Sequence, residues 1–185
     1  MTGPRRIAVV GLGNVLMGDD AFGPYVVRML EAEYEFLDGV TVLDLGTPGL
    51  DLTPHLSDID ALIVVDTVHS EGPPGEIRLY RRAQILKHPP GPRLSPHDPG
   101  LKEALLLAQL EGRGPRHVWL VGVIPQTTGT GIGLSVPVIQ AVEGARDEVL
   151  CELERLGRAA VRRREPLEPD IWWEEHRDHT RLAWP

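Results

Sequence analysis

Three carboxylates and one imidazole are the side chains of this sequence best placed to do chemistry. Asp19 and Asp20 form an acidic pair shortly after an apolar run at residues 7–10. Asp66 directly follows Leu62-Ile63-Val64-Val65. His97 sits between Pro96 and Asp98, with Pro99 just beyond. A carboxylate that ends a buried apolar strand must be hydrated, hydrogen-bonded or metal-bound. Two carboxylates and one imidazole make a mixed oxygen and nitrogen donor set for a divalent metal. Three protein ligands leave coordination positions open, as a catalytic or substrate-sensing site requires. Each residue also has a plain structural role available. Asp66 can cap the following turn, one of Asp19 and Asp20 can cap a helix, and His97 can simply pack in its proline-flanked loop.

The elements around these residues read as alternating strands and helices. Residues 7–10 form a short buried strand opening into Gly11 and Gly13. A helix is expected over 22–35, with Pro24 in its first turn. Strands follow at 40–45 and 61–65, the second without polar alternation, as in a strand covered on both faces. Between them lie the turn Gly46-Thr47-Pro48-Gly49 and a short helix at 50–56. Residues 75–80 alternate and read as an edge strand inside an irregular, proline-rich stretch, 72–99. A helix over 98–110 starts at Asp98-Pro99, a strand fills 117–124, and Ser135 caps a long helix ending near Leu156. The pattern predicts an α/β fold: a three-layer, mostly parallel twisted sheet with helices on both faces, in a single domain. In such sheets the ligand crevice lies outside the carboxyl ends of the strands, where Asp19, Asp20 and Asp66 fall.

A chain of 185 residues with 42% hydrophobic and 25% charged residues has ordinary globular composition, which excludes whole-chain disorder and coiled coil. Its single cysteine, Cys151, permits neither an internal disulfide nor a cysteine-based zinc site and suits a reducing cytoplasm. The formal charge of −8 repels phosphate backbones, so nucleic acid is not an expected partner. No segment reads as a signal peptide or membrane span. The charge is concentrated in residues 1–156. Residues 158–185 form a charge-balanced tail in which Trp172, Trp173 and Trp184 stand out. The tail reads as packed across the 1–157 body by its tryptophans, or else as a docking arm for a partner.

Other functions fit less well. Gly11-Leu12-Gly13 has Leu16 where a dinucleotide fingerprint needs its third glycine, although Asp44 ends the second strand as a ribose ligand would. A phosphoacceptor receiver domain shares the acidic pair and the Asp66 position, but Val123-Ile124-Pro125 lacks its lysine. No serine-hydrolase elbow or His-Glu-x-x-His helix occurs.

Five ordered motifs give the sequence a family resemblance. They are Gly11-Leu12-Gly13-Asn14-Val15-Leu16 with Asp19-Asp20-Ala21-Phe22-Gly23, Asp44-Leu45-Gly46-Thr47-Pro48-Gly49, Asp66 after its strand, Ser95-Pro96-His97, and Val121-Gly122-Val123-Ile124-Pro125. Over about residues 6–157 the chain resembles the hydrogenase maturation proteases. It departs from their pattern at Ala21 and Leu45, where glycine is common. The resemblance implies a cytoplasmic endopeptidase, grouped with the aspartyl types. It would remove the C-terminal extension of the nickel-iron hydrogenase large-subunit precursor after nickel insertion. It also implies that Asp20, Asp66 and His97 bind the metal, and that the nickel arrives with the substrate. Asp19 is then the expected general base, and Asn14, Gly46, Thr47 and Gly49 are expected to contact substrate. The protein is expected to be a monomer, with the precursor as its partner. A non-hydrolytic module that checks for nickel is the alternative.

Overall fold

The computed structural model describes residues 6–48, 52–87 and 98–175. In chain order the strands are β1 (Ile7–Leu12), β2 (Tyr34–Glu35), β3 (Val40–Gly46), β4 (Ala61–Thr67), β5 (Ile77–Arg81), β6 (His117–Val123) and β7 (Val161–Arg162). The helices are α1 (Phe22–Glu33), α2 (Thr53–Leu56), α3 (Arg82–Lys87), α4 (Asp98–Leu110), α5 (Val136–Arg155) and α6 (Trp172–Glu175). A 3-10 turn, Gly18–Ala21, leads into α1.

The main sheet has the order β3-β1-β4-β6-β5. All pairings are parallel except that of the edge strand β5 with β6. β1 and β4 are buried at every residue, which is why their sequences show no polar alternation. Successive residues point to opposite faces. Ile7 and Val9 of β1, with Ile63 and Val65 of β4, meet Val26 of α1 and Val142 of α5. Ala8, Val10 and Leu62 meet Leu56 of α2, Ile85 of α3 and Leu105 of α4 on the other side. The fold is therefore the expected three-layer α/β architecture.

The departures are local. α3 lies inside the stretch expected to be irregular, because the prolines of 72–99 cluster at its two ends and leave 75–88 free of them. α1 stops at Glu33, two residues early, since Tyr34 turns extended to pair with Arg162 in a two-stranded antiparallel ribbon. Ser135 does hold the N-cap position of α5, but its side chain caps nothing there. Its hydroxyl donates to Asp19 instead.

Beyond β7 the chain runs back along α1 as a strap. Arg163 N donates to Glu33 O at 2.8 Å and Leu167 N to Ala32 O at 2.9 Å. The strap ends in α6, where Trp173, 1% exposed, packs on Ala21 and Tyr25. Trp172 remains half exposed, and Trp184 lies outside the described residues.

Candidate active site

The strand order reverses direction at β1 and β4. β1 connects to β3 on one side, whereas the chain leaving β4 continues toward β5 and β6 on the other. The carboxyl ends of these two strands thus form a topological switch point, where α/β sheets bind ligands. Asp66 lies within β4, in register with Gly122 of β6, and is 1% exposed. Asp20, 5% exposed, lies in the 3-10 turn after β1.

Two glycines let the segments come this close. Gly23 opens α1 directly against the strands, and a Cβ there would lie 2.2 Å from Leu12 O and 2.4 Å from Val65 O. Gly13 has φ +140°, and a Cβ on it would lie 1.8 Å from Asp20 O. Any side chain at either position would push the Asp20 turn away from the sheet.

The two buried carboxylates are joined through one residue. Thr67 N donates to Asp66 Oδ1 at 2.7 Å, and Thr67 Oγ1 donates to Asp20 Oδ1 at 3.2 Å. The other oxygen of Asp20 accepts from Asn14 N at 2.9 Å. Such bonds orient a carboxylate and satisfy it where water is scarce. Thr67 is the site residue that sequence reasoning missed. Its only signal was its place directly after Asp66, as part of the same buried strand.

Asp19, fully buried, is engaged differently from its neighbour. Its oxygens accept from Ser135 N at 2.6 Å, Ser135 Oγ at 2.9 Å, Gln126 N at 2.8 Å and Thr127 N at 2.9 Å. Asp19 N in turn donates to Thr127 O at 3.0 Å. This carboxylate pins the loop between β6 and α5 against the 3-10 turn. Neither it nor Asp20 caps α1, whose N-cap position is Ala21.

Of the residues expected to contact substrate, Asn14 uses its side chain to accept from Leu16 N at 3.0 Å, so it shapes the turn after β1. Gly46 O accepts from Gly13 N at 2.8 Å, and Gly46 N donates to Asp44 Oδ1 at 3.1 Å. Asp44 also faces Arg28 at 3.5 Å, so the residue read as a ribose ligand serves the strand-end turn. Thr47 is exposed beside it. Gly49 and His97 lie outside the described residues. Among the described residues, no group of three His, Cys, Asp or Glu side chains is placed to hold a metal. Nor does any described helix have the length and apolarity to cross a membrane.

Known proteins are similar to this chain in sequence and fold. A family model described as hydrogenase maturation protease matches residues 24–152. The chain is 35% identical over 159 residues to the hydrogenase 2 maturation protease of Escherichia coli K12, covering 85% of this chain and 96% of that one. It is likewise 35% identical over 164 residues to the hydrogenase expression/formation protein HoxM of Azotobacter vinelandii, covering 88% and 79% respectively. The solved structure of the hydrogenase maturating endopeptidase HybD from E. coli resembles it with a TM-score of 0.78 at 34% identity, over 85% of this chain and 98% of that chain. With the switch-point carboxylates already in place, these likenesses make the chain a member of the hydrogenase maturation protease family and an endopeptidase.

Proposed function

We propose that this endopeptidase removes the C-terminal extension of a nickel-iron hydrogenase large-subunit precursor after nickel has been inserted. The observation that carries the reading is the Thr67-linked pair of buried carboxylates at the switch point. Asp20 and Asp66 supply oxygen donors from two rigid segments, and His97 supplies the imidazole that completes a mixed donor set. Nickel enters this set as cargo of the substrate. Two carboxylates and an imidazole from three separate segments hold nickel less tightly than a thiolate-rich site. The metal therefore belongs to the precursor, and the protease reads it. Docking through the metal holds the extension near the crevice. Asn14, Gly46, Thr47 and Gly49 form the rim that receives the extended peptide. Hydrolysis adds one water across the scissile amide, giving the shortened subunit a new carboxylate and the released peptide a new amine. The exposed, free Cys151 supports a reducing, cytoplasmic setting.

The test offers the purified protein one precursor with and without nickel and reads the products by mass spectrometry. Shortening of the nickel-loaded form alone is the expected result, because an unloaded precursor lacks the group that anchors it. Rapid cleavage of the metal-free form would remove the nickel gate, and an uncut loaded precursor would remove the processing activity itself.

A further inference from the structure

We infer that Trp173 is a positioning residue for this protease, the anchor by which the C-terminal strap holds the Asp20 turn in working geometry. The inference rests on the placing of Asp20 among the residues that act on substrate. Trp173 packs edge-on against Tyr25, with ring centroids 5.3 Å apart and planes at 75°. It also packs on Ala21, the fully buried residue that follows Asp20, and outside the strap Val15, Ile132 and Leu134 pack against the same cluster. Each of these contacts belongs to a segment that shapes the site. Val15 adjoins Asn14, whose N–H donates to Asp20. Ile132 and Leu134 lie between Thr127 and Ser135, in the loop that Asp19 pins.

The 3-10 turn itself has no side-chain cap. From outside it is fixed by main-chain bonds, Gly18 N to Gly131 O at 2.8 Å and Asp19 N to Thr127 O at 3.0 Å, by the two carboxylates' own bonds, and at its Ala21 end by the packing of Trp173 and Tyr25. The strap crosses α1 on a few main-chain hydrogen bonds and closes with Tyr25 Oη donating to Glu174. It contributes no strand to the main sheet, so it can detach without opening the core. The indole N–H of Trp173 finds no hydrogen-bond partner among the described residues. The ring thus acts by shape alone, and another aromatic ring of similar bulk can do the same.

The experiment compares the full chain with W173A and W173F, by steady-state processing of the nickel-loaded precursor and by amide hydrogen exchange. In W173A, kcat falls about tenfold or more while KM moves less than about threefold, because geometry at the reacting centre is lost rather than substrate binding. Exchange over residues 14–20 and 126–135 rises about tenfold, with β1 and β4 unchanged. W173F returns kcat to within about threefold of the parent. A W173A protein with parental kcat would overturn the inference. So would an exchange increase spread evenly through β1 and β4, which marks general loss of stability. If the parent chain leaves the precursor uncut, the processing reading fails on its own. The exchange pattern then decides the strap: a localised rise sustains it, and an even or absent rise overturns it.

Discussion

Replacing Asp19 by alanine separates two jobs that a carboxylate beside Asp20 can have. Removing the side chain strands three backbone N–H groups, those of Gln126, Thr127 and Ser135, together with the Ser135 hydroxyl. A buried donor left unpaired costs about 1–3 kcal/mol. Gln126 and Thr127 are exposed residues, so part of the loop can turn to water and the sum falls toward its lower end, about 3–4 kcal/mol. For a domain of this size that corresponds to a drop in Tm of about 10 °C. Asp20→Asn is the contrast. It keeps the side-chain volume and an oxygen acceptor, so it should cost no more than about 1–2 kcal/mol while abolishing processing through loss of a charged donor. Urea unfolding and thermal scans of both variants at neutral pH, with precursor trimming followed on the same samples, give the comparison. The reasoning is refuted if Asp19→Ala melts within about 2 °C of the parent yet cannot trim. That pattern would mean the carboxylate works on substrate rather than on the loop.

Two further changes probe neighbouring features. Thr67→Val keeps the buried shape of β4 and the main-chain bond to Asp66 but deletes the hydroxyl bond to Asp20. Trimming should fall about 10- to 100-fold, as when a group that orients a metal ligand is removed, and urea unfolding should show the fold retained. Glu152 is 5% exposed, and burial alone would raise its pKa. Hydrogen bonds and charge from Arg155 and Arg81 outweigh that and hold it below the usual carboxylate range. Its pairing therefore stabilises the protein above that range, and the contribution is lost as pH falls through the depressed value. Glu152→Gln should lower stability by about 1 kcal/mol at neutral pH, since both arginines stand half in water. Thermal scans down the pH scale should show the gap to the parent closing in acid.

The legible parts of this molecule are those that local sequence decides. Unbroken apolar runs announce β1 and β4, and Asp66 at the end of the β4 run marks the switch point from sequence alone. α5 announced itself through a stripe of apolar residues at helical spacing, from Val138 to Leu153. The illegible parts are decided by distant partners. Asp19 and Asp20 are adjacent and alike, yet one closes a loop and the other faces Thr67, a division that depends on residues 47 to 116 positions away. Ser135 has the right chemistry for a helix cap, but the tertiary fold offers its hydroxyl a buried carboxylate instead. The 3-10 turn has only four residues, too few to carry a period. Trp173 was conspicuous by composition, whereas its seat on Ala21 and Tyr25 exists only once the strap has doubled back.

The bond from Ser135 to Asp19 also sets an order of events in the life of the chain. Asp19 leaves the ribosome early, and its partners follow 107 to 116 residues later. Contacts of such separation carry a large loop-closure entropy and form late. Until residues 126–135 have been made, the Asp19 carboxylate lacks the donors that close upon it, although Asp20 can already meet Thr67. α6, the last element among the described residues, then packs on Ala21 from outside. A nascent chain thus spends most of its synthesis before the loop of residues 126–135 can lock onto Asp19.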